Sequence, residues 1–162
     1  MPCDPTAPDL TIALADAAAT ERLGRNLAGL AAPRDVLALH GDLGMGKTTL
    51  ARAFVRQATG FADEEVPSPT FTLVQTYDTR IGTVWHIDAY RLKHPDEIWE
   101  LGFEEALADG ILVIEWPERL GAHLPQRRLD IHLDAADAGR RARLFSNATD
   151  WSERLTHLEP AI

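Results

Sequence analysis

Val36-Leu37-Ala38-Leu39-His40-Gly41-Asp42-Leu43-Gly44-Met45-Gly46-Lys47-Thr48-Thr49-Leu50 is the stretch that decides the fold. It opens on a short, continuous apolar run, the pattern of a strand buried on both faces. It closes on a helical pattern whose inward face carries Leu50, Phe54 and Ala58, with Gly60 placed where a helix stops. Between them, Gly41, Gly46, Lys47 and Thr48 match G-x-x-x-x-G-K-[ST]. Each position has a mechanical reason. The glycines let the backbone curl so that successive N–H groups point at one anion. The helix that follows aims its positive end at the same point. Lys47 reaches the β- and γ-phosphates of a nucleoside triphosphate, and the Thr48 hydroxyl reaches magnesium. Gly41, Asp42, Leu43, Gly44, Met45, Gly46, Lys47, Thr48 and Thr49 are therefore the candidate phosphate-binding residues. The chain has only two lysines, Lys47 and Lys93, and uses arginine elsewhere. A lysine at this position suits a compact, flexible charge in place of a planar fork.

The elements on either side predict a single α/β domain. Leu10–Leu14 reads as a strand. Asp16 caps a helix with Ala19, Leu23, Leu27 and Leu30 on one face. After the loop helix, 61–69 reads as a proline-bearing loop. Phe71–Tyr77 and Thr83–Asp88 read as an antiparallel hairpin around Asp78-Thr79-Arg80-Ile81-Gly82. An acidic helix is expected from Pro95 to about Ala108, then a central strand at Ile111–Ile114 ending in Glu115. Leu129–Leu133 and Arg143–Ser146 are two more expected strands, and Asp150 is an expected cap for a last short helix. The predicted architecture is a mixed central sheet, with the hairpin after the loop helix and helices on both faces. Residues 1–9 read as a disordered segment and 10–162 as the domain.

A triphosphate site needs an acidic group at a neighbouring strand end. Asp88 and Glu115 both stand directly after apolar strand residues. One of the pair can ligate the metal while the other orients or deprotonates water. Pro67-Ser68-Pro69-Thr70-Phe71 follows the loop helix, where a nucleotide-sensing segment sits in related architectures, and Thr70 is its candidate contact to metal or γ-phosphate. His86 shares a strand face with Asp88 and reads first as a half-buried histidine satisfied by its own partners. Trp116 is read equally as core or as a neighbour of the nucleotide. Trp85, Trp99 and Trp151 read as core.

Composition narrows the function classes. The chain has 162 residues and a net charge of −9, which disfavours unaided grip on a nucleic-acid backbone. Asp96 to Asp109 carries six carboxylates and no cation, and reads as a solvated face. The lone cysteine, Cys3, excludes an intrachain disulfide and fits a reducing compartment. No apolar run reaches ~20 residues, and MPCDPTAPDL has no leader pattern. The expectation is a cytoplasmic protein without membrane contact.

Four motifs occur in one order: the glycine loop from Gly41 to Thr49, Ser68-Pro69-Thr70-Phe71-Thr72-Leu73-Val74, His86-x-Asp88-x-Tyr90-Arg91-Leu92, and Glu115-Trp116-Pro117-Glu118. The ordered set closely resembles the TsaE (YjeE) family of small bacterial P-loop ATPases. The match is dense from Val36 to Arg119 and weak at Thr20-Glu21-Arg22-Leu23-Gly24. The resemblance implies ATP and magnesium as ligands and a role in threonylcarbamoyladenosine modification of tRNA. It also implies work alongside the TsaB–TsaD pair, with tRNA held by those partners. It further implies that Lys47 holds phosphates, that Thr48 and Glu115 hold magnesium, that Thr70 and Asp88 lie on the γ-phosphate side, and that Thr20 lies near the adenine.

Three other readings stay open on the residues. A small-molecule P-loop kinase has similar length, but normally carries an arginine-bearing lid after the loop helix. A GTPase switch needs an N-K-x-D loop, and Asn147-Ala148-Thr149-Asp150 lacks the lysine. A non-hydrolysing ATP sensor is compatible with the absence of an evident arginine finger, for which Arg91 is the internal candidate.

Overall fold

The computed structural model describes residues 6–147 and 149–158. Cys3 and residues 1–5 of the segment expected to be disordered lie outside the described residues. Within that segment, the Asp9 N–H donates to the Leu144 carbonyl and the Asp9 carboxylate accepts from the Ser146 N–H.

Seven strands form one sheet: β1 (Leu10–Leu14), β2 (Val36–His40), β3 (Val74–Thr79), β4 (Gly82–Asp88), β5 (Ile111–Glu115), β6 (Leu129–Ala135) and β7 (Arg140–Ser146). Their spatial order is β1-β7-β6-β2-β5-β4-β3. The centre is parallel, with β2 between β5 and β6 and β4 beside β5. The hairpins β3–β4 and β6–β7 and the β1–β7 pair are antiparallel. The four apolar residues of β5 are all buried, as a strand covered on both faces requires.

One face is covered by α1 (Ala17–Leu30), α2 (Lys47–Thr59) and α4 (Thr149–Leu155). Leu23, Leu27, Leu50, Phe54 and Trp151 pack there on Leu37, Leu39, Val113 and Ile131. The other face meets Ile98, Phe103, Ala106 and Leu120, over Ile87, Leu112 and Ile114. Asp16 caps α1 by accepting from the Ala19 N–H at 2.9 Å. Gly24 lets α1 and α2 touch backbone to backbone: a Cβ there would stand 2.5 Å from the Leu50 carbonyl oxygen. Asp35, fully buried, is held by Arg154 and the Ala32 N–H.

Four expectations need correction. The acidic stretch is not one helix. It is a 3₁₀ segment, Pro95–Leu101, then α3 (Phe103–Asp109), separated by Gly102 at φ 85°. Trp85 leaves no room for a Cβ at Gly102 or Gly110 without a close contact, so this ring shapes the connection. Phe71–Leu73 is a turn and not strand, with the Leu73 N–H donating to Pro69 and Leu73 at φ 69°. Trp99 is 44% exposed. Asp150 lies inside α4, and its carboxylate bonds Arg127 and Arg154 in place of capping. Among the described residues, no helix is long and apolar enough to cross a membrane.

Candidate functional site

The glycine loop lies between the C-terminal end of β2 and the N-terminus of α2. Ligands of open α/β sheets bind at such strand ends, where successive connections diverge to either side of one strand. Gly46 ends the loop at φ 105°, a left-handed conformation that costs other residues strain. A Cβ there would also come within 3.2 Å of an Arg140 nitrogen and 3.5 Å of the Thr20 methyl. A cleft of 440 Å³ opens above the loop. Its walls include Lys47, Thr48, Thr70, Asp88, Glu115 and Trp116.

Lys47 is buried, and its ammonium donates to the carbonyls of Gly41 (2.5 Å) and Asp42 (2.9 Å). It also stands 4.1 Å from the centre of the Trp116 ring. Burial pushes the Lys47 pKa below its ordinary value, opposed by the carboxylates of Glu115, Glu118, Asp88 and Asp42. The ammonium is thus held among acceptors and carboxylates at the floor of the cleft.

The parallel register of β4 and β5 makes Asp88 and Glu115 direct neighbours at the two strand ends. Both are buried. Glu115 accepts from the Thr48 hydroxyl at 2.8 Å with one oxygen, and its other oxygen lies 2.6 Å from His86 Nε2. His86 is fully buried, not half-buried, and its partner is Glu115 and not Asp88. Among the described residues, its Nδ1 has no hydrogen-bond partner. A proton on Nδ1 would be a buried donor without an acceptor, so the geometry selects the tautomer that donates from Nε2 to Glu115.

Asp88 faces the segment Pro67-Ser68-Pro69-Thr70-Phe71. Its Oδ2 lies 3.3 Å from Thr70 Oγ1 and 3.5 Å from Ser68 Oγ, and its Oδ1 accepts from the Tyr90 N–H. Thr70 and Ser68 bond each other at 2.8 Å. Trp116 adopts φ 57°, a strained left-handed turn, and packs against Tyr90 at 5.0 Å. Leu43 and Phe71 stand exposed, and the Arg91 guanidinium covers Phe71.

The structure therefore gathers Lys47, Thr48, Thr70, Asp88 and Glu115 into one cleft, with Gly44, Gly46 and Thr49 on its wall. Thr20 is buried against Gly46 and does not line the cleft. Arg140 and Ala17 do line it, and no local signal marked either. Arg140 comes from the start of β7, and only sheet pairing brings it to the loop. From these two residues a second cavity, of 330 Å³, continues past Leu14, Asp16 and Gly139.

Comparison with known proteins gives the family. A family model described as "Threonylcarbamoyl adenosine biosynthesis protein TsaE" matches residues 14–143. The chain belongs to the TsaE family. A TsaE relative from Rickettsia felis, named a tRNA threonylcarbamoyladenosine biosynthesis protein, is 42% identical over 134 residues, covering 83% of this chain and 77% of the relative. A relative of the same name from Bacillus subtilis is 36% identical over 128 residues, with 78% of each chain covered. The crystal structure of Bacillus subtilis YdiB superposes with a TM-score of 0.74 at 27% identity, covering 92% of this chain and 93% of that one. The span of the TsaE match takes in the glycine loop, residues 67–71, Asp88, Glu115 and Arg140.

Proposed function

We propose that this chain is a cytoplasmic, magnesium-dependent P-loop ATPase required for threonylcarbamoyladenosine modification of tRNA, acting with the TsaB–TsaD pair to support its turnover. The observation that carries the reading is the meeting of Lys47, the Thr48–Glu115 contact and Asp88 in one cleft above the glycine loop.

The donor set fits magnesium. Among the described residues, no group of three or more His, Cys, Asp and Glu side chains forms a ready-made metal site. Magnesium does not need one, since it takes one or two carboxylates and completes its shell with water and phosphate oxygens. Thr48 and Glu115 would hold it, with Asp88 reaching it only through its water shell, and the bound ion would neutralise charge on the phosphates. Lys47 trades its two loop carbonyls for phosphate oxygens. His86 holds Glu115 in one orientation. Asp88, with the Thr70 and Ser68 hydroxyls beside it, positions the attacking water and accepts its proton. The cavity continuing past Arg140 and Ala17 is assigned to the adenine side.

The relatives' names supply the tRNA pathway. The net charge of −9 supports an indirect relation to RNA, because the partners then provide the cationic surface. The test is ATP turnover with magnesium, with and without TsaB–TsaD, for the wild type, Lys47→Ala and Glu115→Ala. Weak turnover alone, stimulation by the pair and loss in both variants are expected. Equal turnover with and without the pair removes the partner role. Transfer of phosphate to a small metabolite in a substrate screen replaces the ATPase reading with a kinase.

A further inference from the structure

A third cavity, of 440 Å³, lies on the α1–α2 face, and arginine dominates it. Arg25 from α1, Arg52 and Arg56 from α2 and Arg80 from the β3–β4 turn all line it, against one lining carboxylate, Glu21. This gathers four of the sixteen basic residues of a chain whose net charge is −9. Packing explains how they meet. Thr49, Arg52 and Arg56 recur at helical spacing along one stripe of α2, and Gly24 lets α1 approach closely enough for Arg25 to reach the same hollow. The Arg80 guanidinium lies directly on Gly60 at the end of α2.

Structural duties account for only part of this. Arg52 and Arg56 each spend one nitrogen, their Nε donating to the carbonyls of Val66 and Glu64. The negative end of α2 favours Arg56 and Arg80, but Arg52 lies mid-helix, where the dipole does nothing for a cation. Arg25 faces Glu21 at 4.0 Å, in solvent. Among the described residues, no carboxylate lies within ion-pair reach of Arg52, Arg56 or Arg80. Like charges held this close repel unless an anion joins them.

We propose that this arginine-lined cavity is a second anion site that takes a phosphorylated small molecule of about nucleotide size, distinct from the glycine-loop cleft. The volume falls within the ~300–1,000 Å³ of small-molecule pockets. Planar guanidinium forks match phosphate oxygens in pairs. Four cations against one carboxylate call for more than the single charge of a carboxylate ligand, as a di- or triphosphate provides. A long nucleic acid would meet the acidic remainder of the surface. Thr49 lines both cavities, so the new site adjoins the phosphate-binding turn of α2. The assignment does not depend on whether ATP is hydrolysed.

The test keeps the glycine-loop cleft filled. Full-length protein is saturated with magnesium and a non-hydrolysable ATP analogue, then titrated with inorganic pyrophosphate by calorimetry, with the arginine Nε–H signals followed by NMR. One further equivalent should bind and move the signals of Arg25, Arg52, Arg56 and Arg80. Arg25→Gln and Arg80→Gln, which leave the bonds to Val66 and Glu64 intact, should each weaken it about tenfold. Affinity for the analogue should stay within about twofold. Absence of pyrophosphate binding to the loaded protein, or binding by both variants as tight as by the wild type, overturns the proposal. Tighter binding of a single-stranded RNA of about 12 nucleotides through the same arginines overturns it in favour of a nucleic-acid surface.

Discussion

His86 Nε2 lies 2.6 Å from Glu115 Oε2, and both side chains are buried. The two strands are parallel and paired so that His86 stands opposite Val113, placing Glu115 two residues further along the same face. The other Glu115 oxygen meets Thr48, so the carboxylate is held from two directions. The imidazole sets the carboxylate's orientation through one nitrogen, and if Glu115 holds magnesium as proposed, it keeps the site ready for the ion.

His86→Ala should therefore lower ATP turnover and raise the magnesium concentration needed for half-maximal activity, each by about 10- to 100-fold. Lys47 and the glycine loop are untouched, so nucleotide binding without magnesium should change far less. A magnesium titration of turnover beside equilibrium nucleotide binding checks this. Unchanged magnesium dependence would reduce His86 to a packing residue.

Trp116 is the ring nearest the Lys47 ammonium, at 4.1 Å. If a triphosphate binds as proposed, it draws the ammonium from the loop carbonyls and changes the field at the indole. Trp116→Phe should abolish most of the nucleotide-dependent change in tryptophan fluorescence, although Trp85, Trp99 and Trp151 remain. A signal retained in Trp116→Phe would place the responding ring elsewhere.

Gly24→Ala tests the α1–α2 contact. The added methyl would lie 2.5 Å from the Leu50 carbonyl oxygen and 3.0 Å from the Ala53 Cβ, both on a packed helix. The helices must separate, at a cost of about 1–3 kcal/mol. Urea unfolding should show that loss despite the better helix propensity of alanine.

Asp130 anchors a polar cluster on the sheet. Burial alone would push its carboxyl up, but the bonds from the His40 ring and the Arg128 guanidinium hold it below its ordinary value. A carboxyl depressed in the folded state adds stability that is fully present above its unfolded pKa, about 3.9. That stability is lost as pH falls through the lower folded value. Asp130→Asn should cost about 2 kcal/mol at pH 7, and the difference should shrink as pH falls below 4. Urea unfolding at several pH values measures it, and a pH-independent difference would assign the cost to packing.

Much of the fold and the glycine loop was legible because those signals are local. The apolar run of β2, the cap at Asp16, the glycine at the end of α2 and the buried run of β5 each depend on neighbours in sequence. The acidic stretch misled because six carboxylates at near-helical spacing look like one solvated helix. Gly102 and the packing of Trp85 break it into two pieces, and that packing is tertiary.

By itself the sequence determined the glycine loop with its lysine, and the two strand-end carboxylates. A phosphate cradle needs a set spacing along one strand–loop–helix unit, and apolar runs mark where strands end. Only the tertiary structure decided what crosses between elements. Parallel register paired Asp88 with Glu115 and turned His86 toward Glu115, and the antiparallel β7 carried Arg140 to the loop. A close helix contact at Gly24 and the seating of the β3–β4 turn on the end of α2 gathered four arginines that are scattered from residue 25 to residue 80. Such contacts follow from which strands and helices become neighbours, and spacing along the chain carries no record of that choice.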